Sequence, residues 1–82
     1  MMQRGMPAIE ENNAEYGHHT QFLDCSLERA MFFFNNRLRM YDQCYAWFVM
    51  TLWNGEDVVC TARKALSKPV VVVRVGSPPR PR

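Results

Sequence analysis

No stretch of this chain is apolar for long enough to cross a bilayer. The longest apolar run, Cys44–Trp53, is about half the length that a membrane helix needs. Residues 1–11 lack the apolar core of a secretory signal. The three cysteines, Cys25, Cys44 and Cys60, are too few and too odd in number for a disulfide framework. No Cys-x-x-Cys pair and no His-x-x-x-His pair is present, so Cys25, Cys44, Cys60, His18 and His19 do not have the spacing that presents two zinc ligands from one turn. These absences predict free thiols in a reducing cytoplasm, with no metal, no cofactor and no membrane partner. Cys25 stands near a predicted helix start, where a thiol is activated, yet no base or oxyanion donor is fixed against it. The chain therefore reads as non-catalytic.

Charge is scarce overall and unevenly placed. The net charge is +2, but residues 1–28 carry five acids against Arg4, and residues 29–82 carry nine bases against Asp42, Glu56 and Asp57. An acidic head and a basic tail suit pairing with each other or with different partners.

What the chain has in quantity is apolar and aromatic residues. Leu27, Ala30, Met31, Phe34, Leu38 and Tyr41 recur at helical spacing, with Asp24 or Ser26 as a cap and Glu28 in the first turn. This predicts a helix over about 26–42. Phe32 and Phe33 fall outside its apolar stripe and stand as candidate contacts.

Tyr45–Trp53 and Glu56–Arg63 read as two strands joined at Asn54-Gly55, a pair suited to a type I′ turn. A two-residue turn there sets Trp53 opposite Glu56, Thr51 opposite Val58 and Val49 opposite Cys60. The other face then holds Phe48, Met50 and Leu52 with Thr61, Val59 and Asp57. A rival reading extends the helix through Tyr45, Phe48 and Leu52 to Gly55, because the four-three spacing continues. Val70–Val75 is a third strand, which the two apolar sides of Tyr45–Trp53 favour placing beside it.

The predicted fold is α+β: one central helix (26–42) on a small, mostly antiparallel three-stranded sheet (45–53, 56–63, 70–75), with a short extra strand near 18–23. Residues 1–17 read as a loose arm, 18–76 as the single domain and 77–82 as a disordered tail of prolines and arginines.

One helix covers one face of such a sheet and leaves the other, with Phe48, Met50, Leu52 and Val59, in need of a lid. Either the N-terminal arm folds over it with Met6, Ile9, Tyr16 and Phe22, or another body does; the second predicts a protein-binding module or inhibitor that occludes the surface of another protein, or a second copy of itself. Phages and mobile elements encode compact binders of this size. Phe32, Phe33, Phe48, Met50, Leu52 and Trp53 are the expected contacts, with Arg37, Arg39 and Arg63 as a polar rim. The alternative is a nucleic-acid-binding protein that uses Arg63, Lys64, Lys68, Arg74, Arg80 and Arg82 with Tyr45, Trp47 and Trp53.

Overall fold

The computed structural model describes residues 6–74. It is α+β, with elements in the order β1 (Pro7–Asn13), β2 (Gly17–Phe22), α1 (Leu27–Asp42), β3 (Phe48–Asn54), β4 (Asp57–Lys64) and β5 (Val71–Arg74). The strands form one antiparallel sheet in the order β2-β1-β3-β4-β5. β2 and β3 run the same way on either side of β1, so α1 is the crossover of a split βαβ unit. Among the described residues no helix is long and apolar enough to cross a membrane.

The helix forms where its spacing predicts. Ser26 caps it in an extended conformation, and its hydroxyl accepts a hydrogen bond from the Arg29 amide at 3.2 Å. Ala30, Phe34 and Tyr41 are buried, and Leu27, Met31 and Leu38 pack at the margins of the core. The helix ends at Asp42 rather than running on to Gly55, and α1 lies across β1 and β3. The core below it is Ile9 from β1, Phe48, Met50 and Leu52 from β3, and Val59, Cys60 and Ala62 from β4.

The sheet has five strands where three are expected, and β1 accounts for much of the difference. Pro7–Asn13 falls inside the stretch read as a loose arm, yet it pairs along its whole length with both β2 and β3. Its helix-facing positions are Ile9, Glu11 and Asn13. Two of these are polar, so the apolar-polar alternation that marks a strand is hidden. The connection to β2 is a hairpin signal: the Asn13 side-chain carbonyl accepts from the amides of Glu15 (2.9 Å) and Tyr16 (2.6 Å), and Gly17 takes a positive φ of 79°. β2 is the short extra strand expected near 18–23.

The β3–β4 hairpin corrects three further expectations. Strand pairing begins at Phe48, after Tyr45–Trp47. Asn54 faces Asp57, so the turn residues are Gly55 and Glu56. Gly55 has φ 67° and, among the described residues, no non-glycine residue has positive φ, which is the pattern of a type II′ turn. A bulge at Val59 then shifts the register between Leu52 and Trp53. The change of turn moves the register by two and keeps the faces, but the one-residue bulge turns β4 over: Cys60 and Ala62 join Phe48, Met50 and Leu52 under the helix, and Thr61 and Arg63 join Val49 and Thr51 on the far face.

The apolar face that seemed to need a lid is therefore the core itself, already covered by α1. The far face carries Glu10, Asn12, Thr51, Thr61 and Arg63 among its apolar residues, as an ordinary half-wet face does. β5 pairs with β4 rather than β3, and β3 is central because β1 takes its other side. Val75 and the tail 77–82 lie outside the described residues.

Met50 is wholly buried at the middle of the central strand, so Met50→Ala is expected to cost about 2–5 kcal/mol. Phe32→Ala, on the exposed side of α1, is expected to stay within about 0.5 kcal/mol of the parent. Urea unfolding of both variants checks the placement of the two faces.

Candidate functional site

Two adjacent acids on β1 and two adjacent histidines on β2 divide between the faces of the sheet, because successive strand residues point opposite ways. On the far face, the Glu10 carboxylate accepts a hydrogen bond from the Trp53 indole N–H at 2.9 Å and meets His18 Nε2 at 2.8 Å. The His18 contact first, and then the indole, hold the Glu10 carboxyl below the usual carboxylate range. On the helix face, Glu11 is buried. Arg37 from α1 grips it with Nε on Oε2 and Nη2 on Oε1 (3.0 Å), and His19 Nε2 lies 3.1 Å from Oε1. His18 and His19 therefore do not converge on one site.

The pair is the centre of a wider polar network. The hydrogen bond to Glu11 pushes the Arg37 guanidinium pKa further up. The guanidinium carbon lies 5.6 Å from the centroid of the Tyr41 ring, which stacks on Phe48 at 4.7 Å. The Asn13 amide donates to the Tyr41 hydroxyl at 2.7 Å. Burial, then the nearby Glu11 charge, raises the Tyr41 pKa. Every buried side-chain polar atom among the described residues has a partner.

Beside this network runs a groove of about 310 Å³ between α1 and β2, lined by Ile9, Leu23, Phe33, Arg37, Met40 and His19 among others. It continues past Arg37 and Met40 into a hollow of about 480 Å³ bounded by Tyr16, Tyr41 and Cys44. Its rim is apolar and open: Phe33 is 44% exposed, Met40 68% and Tyr16 68%. Phe32, 56% exposed, meets Phe33 edge-on at 6.3 Å and extends the apolar rim along the outside of the helix.

Of the contacts expected from the sequence, the structure brings Phe33 and Arg37 together here, and Phe32 stands beside Phe33 outside the groove, next to Ser26, Glu28 and Arg29. Arg39 lies on the opposite flank of α1 with Asn35, Leu38, Asp42 and Val70. Trp53 and Arg63 are on the far face of the sheet, where β3 lies between the strand of Arg63 and that of Glu10. Phe48, Met50 and Leu52 are core residues and offer no surface. Met40 and Ile9 were missed as lining residues. Met40 was legible, because it follows Phe33 and Arg37 at the seven- and three-residue steps of one helix face. The Cys60 thiol is buried in the core, and that burial raises its pKa and keeps it in the unreactive thiol form. The chain matches no family model, no curated protein and no solved structure.

Two outcomes test this arrangement. Arg37→Ala leaves the Glu11 carboxylate buried with only His19 beside it, and is expected to cost about 3 kcal/mol. Glu11→Leu combined with Arg37→Met removes both charges and is expected to recover most of that loss, as urea midpoints would show. The lowered Glu10 pKa works on stability with a definite sign. Its contribution is present above the ordinary carboxyl value of about 4.5 and is lost as pH falls through the lowered folded value. Glu10→Gln should therefore flatten the acid limb of stability measured by thermal unfolding against pH.

Proposed function

We propose that the chain is a non-catalytic protein-binding module that acts by covering part of a partner protein's surface, with the α1/β2 groove as its docking face. The observation that carries this reading is the pair of exposed side chains, Phe33 and Met40, beside a fixed arginine, with the exposed ring of Phe32 against Phe33. Aromatic residues, methionine and arginine are the types enriched at interface centres. Arg37 is already held by Glu11, so it loses little side-chain freedom when a partner docks. Phe32 and Phe33 serve as anchors, and Arg37 and the imidazole of His19 form the polar rim. An inhibitor of the phage or mobile-element kind would use such a face to occlude a host enzyme.

A second reading has one observation in its favour. Tyr45 is 90% exposed with the Lys64 ammonium 6.0 Å from its ring centroid. A ring with a base beside it is a unit from which single-stranded nucleic-acid surfaces are built. Trp53, another of the rings expected to stack, is held by Glu10, an acid that repels phosphate.

Affinity capture from the native cell at high salt, followed by binding measurements with the identified partner, separates these readings. A protein partner is expected to persist at high salt, and Phe33→Ala is expected to weaken it by about 2 kcal/mol or more. Binding that survives Phe33→Ala and Met40→Ala unchanged would place the docking face elsewhere. Loss of all binding with salt would favour nucleic acid.

A further inference from the structure

The far edge of the sheet carries a feature that the docking face does not use. β5 pairs with β4 on one side, and among the described residues nothing pairs with its other side. Its backbone donors and acceptors on that side form a template for another strand. Val71, Val72 and Val73 are 49%, 49% and 40% exposed, two facing the far side of the sheet and one the helix side, so a strand laid against β5 would meet β-branched side chains on both faces. Residues 58–74 hold four bases, Arg63, Lys64, Lys68 and Arg74, and no acid.

We propose that β5 is a strand-addition site for an extended, acidic segment of a partner protein, with Glu or Asp between β-branched residues. The open backbone edge sets the extended conformation, the valines set the apolar positions, and the run of bases sets the charge. The same charge argues against a second copy as occupant. An antiparallel β5–β5 pair would bring two sets of four bases side by side, and Pro69 at the strand's start shortens the ladder such a pair could form. Single-stranded nucleic acid needs ring faces to stack on, and β5 offers aliphatic side chains and amides instead. This site is independent of the α1/β2 face, which lies at the opposite edge of the sheet, so either can fail without the other.

The test uses the full chain and two short fluorescent peptides, one alternating valine with glutamate and the other valine with lysine. By anisotropy at low salt, the glutamate peptide is expected to bind at least about tenfold more tightly than the lysine peptide, with the preference narrowing at high salt. Its binding should slow amide exchange within Val71–Arg74. The double variant Lys68→Glu, Arg74→Glu changes exposed side chains only and is expected to reverse the preference. Equal affinity for the two peptides, or binding that leaves exchange at Val71–Arg74 unchanged, would overturn the proposal. So would displacement of the peptide by oligothymidylate, which would make the edge a nucleic-acid site. A dimer by light scattering whose Val71–Arg74 amides are protected without peptide would give the edge to a second copy.

Discussion

The buried pair between Glu11 on β1 and Arg37 on α1 is the constraint on which the rest of the structure depends. A carboxylate under a helix is costly unless its charge is met at short range, and here two guanidinium contacts and an imidazole meet it. Satisfying it fixes three things together. β1 must present Glu11, and not Glu10, to the helix. The helix must present Arg37 to the β2 side. β2 must place His19, and not His18, on the same face. A slip of one residue in any of these elements would leave a charge unpaired in the core.

That constraint also shapes the outer surface. Arg37 is turned inward to Glu11, and the residues one helical step to either side on the β2 flank, Phe33 and Met40, stand exposed at the rim of the groove. The charge asymmetry along the chain becomes an asymmetry across the sheet. Glu10, Glu11 and Glu15 sit on β1 and its turn, and Arg63, Lys64, Lys68 and Arg74 sit on β4, β5 and the connection between them. The two edges thus offer different chemistry to whatever meets them, one aromatic and internally neutralised, the other aliphatic and basic.

The helix and its cap were legible because a single periodicity covers 27–41 and Ser26 sits where a cap belongs. The existence of the β3–β4 hairpin was legible from Gly55 between two β-rich runs. Its register was not, because a bulge residue such as Val59 looks like any other strand valine. That one residue decided which face Cys60 and Ala62 would join, and so misplaced Phe48, Met50 and Leu52 as surface contacts. β1 was hidden for a different reason. Its inward residues are Glu11 and Asn13, whose burial is explained only by Arg37 and Tyr41 far along the chain. The exposure of Phe32 and Phe33 was legible because both fall outside the apolar stripe of the helix.

The strand order carries a consequence for how the chain reaches this state. Each hairpin closes between near neighbours, but the ladder joining β1 to β3 brings Ala8 against Trp53, with the whole helix between them in sequence. That long-range encounter carries a larger loop-closure cost than either hairpin, and pairings of its kind slow folding. In a crowded solution the same encounter is available between two chains, each lending its first hairpin to the other's second, with α1 as the bridge.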